Sequence, residues 1–244
     1  MMCLILAAGY ATRMYPLTEN FPKPLLEVGG KTIIDWLICD VEKKQNIDKY
    51  IVVSNHKFID KFNKWADKSE IKDKLIVLDD GSTENENRLG AVKDIAYAIN
   101  KIGINDDLIV LAGDNLLDFS LGGFIDYFYE KNKTCVMRFF EENIEKLKKT
   151  GVAKIDSEDR ILNMVEKPKE PESNWAIPPF YIYSKDDIQK IEKGISEGCP
   201  TDAPGSFISW LCEQSEVYAY KMSGNRFDIG SIEGYENIKK SFAR

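Results

Sequence analysis

Short apolar runs alternate, along the first half of this chain, with stretches whose apolar residues return at helical spacing. Cys3–Ala8, Tyr50–Ser54, Leu75–Asp79 and Leu108–Ala112 read as buried strands. Between them, Ile33, Ile34, Leu37, Ile38 and Val41 mark one helix face, with Thr32 as its cap. Phe58, Ile59, Phe62, Trp65 and Ala66 mark a second. Ala91, Val92, Ile95, Ala96 and Ile99 mark a third, and Leu121, Phe124, Ile125 and Phe128 a fourth. Strands whose neighbours are helices pack as a sheet covered on both faces. The pattern therefore predicts an α/β fold, a Rossmann-like mixed, mostly parallel sheet.

Beyond about residue 133 the rhythm changes. Thr134–Phe140, Val152–Ile155, Ile161–Val165, Ala176–Tyr183 and Val217–Met222 read as strands with shorter helices between them, and a last helix lies near Ile232, Tyr235, Ile238 and Phe242. No Pro/Gly/Ser linker separates independent domains. The expectation is one domain over 1–244, with halves of about 1–130 and 131–244.

Composition excludes several function classes. The 33 basic and 40 acidic residues leave a net charge of −7 with no basic tail, which argues against nucleic acid as partner. No apolar run is long enough to span a bilayer, and Leu4–Ala8 lacks the flanks of a signal peptide, so no membrane insertion is expected. Five cysteines without a C-x-x-C pair suit a reducing cytoplasm. The single histidine, His56, makes His-ligated zinc and Ser-His-Asp chemistry poor fits and reads as a solvated or capping residue.

The informative stretch is residues 4–26, LILAAGYATRMYPLTENFPKPLL. A buried strand ends in Ala7-Ala8-Gly9, where small residues let backbone amides approach a ligand closely. Arg13 offers a planar fork for phosphate oxygens, and Lys23 offers a point charge. Pro22 and Pro24 stiffen the backbone on either side of that lysine. Neither common phosphate loop fits: G-x-G-x-x-G is absent after the first strand, and Gly30-Lys31-Thr32 lacks the upstream glycine of a Walker A loop. Gly29-Gly30 reads instead as a turn between a short strand and the first helix.

A-A-G-x-x-x-R followed by Pro22-Lys23-Pro24 resembles the signature of the sugar-phosphate nucleotidyltransferases, the group of glucose-1-phosphate thymidylyl- and uridylyltransferases. The resemblance continues through Gly113-Asp114-Asn115, Glu166-Lys167-Pro168 and Asp228-Ile229-Gly230. It implies the nucleotide-diphospho-sugar transferase fold and a reaction of a nucleoside triphosphate with a phosphorylated small molecule, giving a nucleoside-diphosphate conjugate and pyrophosphate. Leu6, Ala7, Ala8 and Gly9 would then contact base and ribose. Arg13 would hold the phosphates that leave, Lys23 the α-phosphate or the attacking phosphate, and Lys167 the acceptor phosphate. Asp114 and Asp228 would hold Mg²⁺. Gly151, Glu166 and Tyr181 would line the acceptor. Asn85, five positions before Gly90, matches a base-reading glutamine, with a pyrimidine favoured; the helix opening at Gly90 would also favour anions.

The chemistry suits these residue types. Mg²⁺ takes one or two protein carboxylates, with phosphates and waters completing its shell. A phosphate monoester, with a second pKa of about 6, is already largely dianionic at neutral pH, so the displacement needs charge neutralisation rather than a general base. Pro178-Pro179 departs from the family pattern near the acceptor, and Thr201–Trp210 is expected nearby. A cytidylyltransferase for a non-sugar phosphate (phosphocholine, inositol phosphate or phosphoglutamine type) therefore stands beside a sugar 1-phosphate enzyme of surface or capsule polysaccharide synthesis. A non-catalytic nucleotide-sugar sensor is the non-enzyme alternative. The resemblance also predicts a short form without the C-terminal regulatory extension, and leaves a homodimer open.

Overall fold

The structure, a computed structural model, describes residues 1–242. β1 (Met2–Leu6) leads into a long loop with short helical turns at Thr12–Met14 and Lys23–Leu25. A small hairpin, β2 (Glu27–Val28) and β3 (Lys31–Thr32), then delivers the chain to α1 (Ile33–Lys44). β4 (Tyr50–Ser54), α2 (Ile59–Ala66), β5 (Leu75–Asp79), α3 (Ala91–Ile102) and β6 (Leu108–Ala112) continue the expected alternation. β7 (Asn115–Leu117), α4 (Gly122–Lys131), β8 (Cys135–Phe140), α5 (Ile144–Leu147), β9 (Gly151–Ile155) and β10 (Ile161–Glu166) follow. β11 (Trp175–Ile177) and β12 (Phe180–Tyr183) precede α6 (Lys185–Ile188), α7 (Ile191–Ser196) and α8 (Gly205–Leu211). The chain closes with β13 (Tyr218–Lys221), β14 (Arg226–Asp228) and α9 (Ile232–Ser241).

Two compact units result, and they interleave along the chain. The first comprises Met1–Arg88, Ala112–Gly122 and the described residues from Ser223 onward. The second comprises Leu89–Leu111 and Gly123–Met222.

In the first unit β4 pairs in parallel with β1 on one side and β5 on the other. Every residue of β4 is buried, as a central strand covered on both faces requires. Thr32 caps α1, its hydroxyl accepting from the Asp35 amide at 3.2 Å, a contact that contributes about 1 kcal/mol. The last segment returns to this unit because its apolar residues need a partner. Ile229 and Tyr235 bury against Met14, Leu26, Val28, Ile33 and Leu116, with Phe227, Ile238 and Phe242 packed alongside.

The second unit is dominated by antiparallel pairs: β12 with β6 and β8, β11 with β8 and β9, and β9 with β10. β13 adds a parallel pair on β8. The single strand expected over Ala176–Tyr183 is two strands. Pro178-Pro179 has no amide to give a ladder, so β11 ends before it and β12 begins after it; both pair with β8, but β12 has β6 where β11 has β9.

Candidate active site

Lys23 is the first residue of a helical turn entered from Pro22 in extended conformation. The amides of Leu25 and Leu26 close the turn onto the Pro22 and Lys23 carbonyls. That geometry buries the lysine to 5 % exposure. A buried ammonium requires partners, and it has two. Lys23 Nζ lies 2.7 Å from Asp114 Oδ2 and 3.4 Å from Asp228 Oδ1.

Separate elements bring those carboxylates together. Asp114 sits between β6 and β7, just after Gly113, whose amide donates to the Leu6 carbonyl at 2.9 Å. The approach is close: a Cβ on Gly113 would stand 2.9 Å from Ile5 Cγ2. Asp228 ends β14, which pairs antiparallel with β7 so that Asp228 faces Asn115 across the ladder. The Asn115 side chain donates to Asp114 Oδ1 at 2.7 Å. Both carboxylates are roughly half exposed while the lysine between them is not.

Arg13, on the turn Thr12–Met14, is exposed, and its guanidinium reaches toward Gly230, two residues past Asp228. At the end of β1, the Ala7 amide donates to the Val53 carbonyl, and the Ala8 carbonyl accepts from Asn55 Nδ2 at 3.0 Å. Among the described residues the Ala8 and Gly9 amides donate to no backbone carbonyl outside the regular elements. Asn85 is half-buried, and its Oδ1 accepts from Arg88 at 2.7 Å.

In the second unit, sheet register brings together residues expected to line an acceptor. Glu166, the last residue of β10, faces Gly151 across the β9 ladder, and Gly151 faces Ile177 of β11. The Glu166 carboxylate also touches Gly205 at the start of α8, where any side chain would collide with it. Burial dominates its titration, lifting it from the ordinary 4.5 to about 7; Lys167 opposes the shift and Asp202 adds to it. Lys167 adopts a left-handed backbone (φ 49°), its amide donating to the Thr150 carbonyl at 3.1 Å. Its ammonium lies 4.0 Å from Asp202. The expected neighbourhood of Thr201–Trp210 and Glu166-Lys167 is therefore present.

Two expected contributors sit differently. Tyr181 is only 2 % exposed, with its ring against Tyr183, so it offers a ligand almost no surface. The helix opening at Gly90 does not present free amides: those of Ala91 and Val92 donate to the carbonyls of Asp202 and Thr201. His56 is exposed, with Nδ1 2.6 Å from Asp79, and this pairing raises its pKa.

A nucleotidyl transferase family model matches residues 2–244. This chain belongs to that family. It is 29% identical over 235 residues to a protein named "Putative mannose-1-phosphate guanyltransferase" from Sulfolobus acidocaldarius, covering 96% of this chain and 61% of that one. It is 28% identical to a glucose-1-phosphate adenylyltransferase from Fervidobacterium nodosum, covering 95% and 59%. The chain thus spans about three-fifths of the length of these curated relatives. In fold it is similar to a crystal structure of UDP-glucose pyrophosphorylase complexed with UDP-glucose, with TM-score 0.83, 23% identity, and 99% and 98% of the two chains covered. Its architecture is thus a nucleotide-diphospho-sugar transferase-like mixed sheet with helices. Among the described residues, no helix of this family member is long and apolar enough to cross a membrane.

Sequence reasoning gave no individual role to Asn55, Arg88, Asn115 or Asp202, each of which contacts a residue it did single out or the backbone beside one. The available signals were adjacency in Ser54-Asn55-His56 and in Gly113-Asp114-Asn115. Asp202 was reached only as part of the Thr201–Trp210 segment expected near the acceptor residues, and nothing in the sequence paired Arg88 with Asn85.

Proposed function

We propose that this protein is a Mg²⁺-dependent nucleotidyltransferase that joins a nucleoside triphosphate, with a pyrimidine favoured, to a sugar 1-phosphate or similar phosphorylated small molecule. The observation that carries the reading is the triad of Lys23 with Asp114 and Asp228 at the end of the small-residue loop. The acceptor phosphate oxygen attacks the α-phosphorus, the α–β phosphoanhydride bond breaks, and pyrophosphate leaves. An acceptor that is already dianionic needs no proton removed, which fits a site without histidine.

Each residue then has a task in overcoming repulsion between two anions. The Ala8 and Gly9 amides and Asn85 hold the nucleoside. Arg13 binds the phosphates that depart. Lys23 neutralises the α-phosphate, and Lys167 orients the acceptor phosphate, with Glu166 accepting hydroxyl hydrogen bonds of a polyol beside Gly151. Asp114 and Asp228 suit Mg²⁺, being hard oxygen donors that already share one cation; among the described residues no larger cluster of ligating side chains competes with them. When bound, the ion would add charge neutralisation at the triphosphate. The single domain 1–244 would use its N-terminal half for the nucleotide and the later half for the acceptor, with Asp228 as the exception. All five cysteines are free thiols, which supports a cytoplasmic setting, and a sugar nucleotide made there would serve capsule or other surface glycan assembly.

The test is pyrophosphate release from a panel of nucleoside triphosphates offered against a panel of sugar 1-phosphates, phosphocholine, inositol phosphate and phosphoglutamine, with Mg²⁺ present. The reading expects release that requires both substrates. No release from any pair overturns it.

A further inference from the structure

Asn115 is a buried amide, 2 % exposed, whose two ends are both engaged. Its Nδ2 donates to Asp114 Oδ1 at 2.7 Å, and its Oδ1 accepts from Arg226 Nη1, also at 2.7 Å. Arg226 begins β14, the strand that ends in Asp228, and β14 pairs directly with β7, where Asn115 lies. The other oxygen of Asp114 is held by Lys23.

A primary amide can face either way, since its oxygen and nitrogen occupy nearly the same space. A guanidinium can only donate. Arg226 therefore fixes the amide oxygen toward itself and the NH₂ toward Asp114. The reverse orientation would set a carbonyl oxygen against a carboxylate.

We propose that Arg226 and Asn115 form a polarity relay: Arg226, by donating, sets the orientation of the Asn115 amide, which holds the Asp114 carboxylate in the rotamer that binds a divalent cation. The inference rests on the cation role given to Asp114 and Asp228 above. Both relay members are positioning residues that act through Asp114. Partners of metal-ligating carboxylates typically change metal affinity by about 10–100-fold when replaced.

The polarity can be reversed. Arg226→Glu places an acceptor-only group where a donor stood, so the amide turns and its oxygen meets Asp114. Arg226→Lys keeps a donor. Simple Coulomb attraction predicts that the added negative charge of Arg226→Glu strengthens cation binding; the relay predicts the opposite.

The experiment is a Mn²⁺ titration of the full chain, followed by water-proton relaxation, for wild type, Arg226→Lys, Arg226→Glu, Asn115→Ala, the double variant Arg226→Glu/Asn115→Ala, and Asp114→Asn. Thermal unfolding is recorded for each. The relay expects Arg226→Lys to bind within about twofold of wild type and Arg226→Glu about tenfold more weakly. Once Asn115 is gone, Arg226→Glu should add no further loss, because coupled residues are non-additive. Arg226→Glu binding as tightly as wild type or more tightly overturns the relay alone, and the Arg226 variants decide this even if Asn115→Ala fails to fold. Absence of Mn²⁺ binding by wild type, or wild-type affinity in Asp114→Asn, overturns the cation reading together with it.

Discussion

Lys23 and Lys167 are the same side chain in opposite settings. Lys23 is buried, caged by flanking prolines, and shared between two aspartates. Lys167 is exposed, faces Asp202 at 4.0 Å, and owes its placement to a left-handed backbone rather than to packing. A buried cation that already neutralises two carboxylates is preorganised for charge developing at a phosphorus, and reorganises little when it acts. An exposed one can be drawn to an incoming phosphate and released again. Under the proposed function, that difference would place Lys23 at the chemical step and Lys167 at capture of the acceptor.

The comparison breaks or sharpens with substitutions. Lys23→Met should have the largest effect, lowering kcat on the order of 10²–10³ in pyrophosphate release, as loss of one preorganised charge does. It should also lower thermal stability, since it leaves Asp114 and Asp228 sharing no counter-charge. Lys167→Asn should instead raise the acceptor KM by about 10–100-fold, the worth of one charge-assisted hydrogen bond, with the nucleotide KM unchanged. Its stability should stay level or rise, because asparagine tolerates the left-handed backbone better than lysine.

Glu166 gives a smaller effect with a definite pH signature. Its folded pKa of about 7 lies above the ordinary 4.5, so the fold prefers the neutral acid. That preference is fully present below pH 4.5 and is lost as pH rises through 7. Thermal melts from pH 5 to 8 should therefore show a downward slope that Glu166→Gln flattens, and the acceptor KM should lose its pH dependence near 7 in the same variant. The smallest effect belongs to the other paired cation, His56 with Asp79. Its raised pKa adds stability below the ordinary 6.5 that fades as pH climbs, but both groups are solvated. His56→Ala should leave pyrophosphate release unchanged.

The same contrast explains what the sequence revealed. Periodicity located β4, β5 and β6 to the residue; β4 and β6 are covered on both faces and so nearly continuously apolar, and the half-buried edge strand β5 still carries an apolar run from Leu75 to Leu78. The members of the triad were legible one by one, Lys23 from its flanking prolines and the two aspartates from the family resemblance. Its contacts were not. Lys23 and Asp228 meet only because β14 returns to pair with β7, a tertiary event with no local signal. Sequence order was a poor guide to the compact units for the same reason, since Ile229 and Tyr235 bury with residues near the N-terminus. The helix opening at Gly90 read as an anion site from its local pattern, yet Thr201 and Asp202 take its amides. Tyr181 was expected to line the acceptor, but β12 turns it into the interior.

Steady-state pyrophosphate release by Lys23→Met and Lys167→Asn, with each substrate varied in turn, tests the division of labour directly. A fall in kcat for the first and a rise in acceptor KM alone for the second is the predicted result. Identical kinetic defects in the two variants, or wild-type kinetics in both, would contradict it.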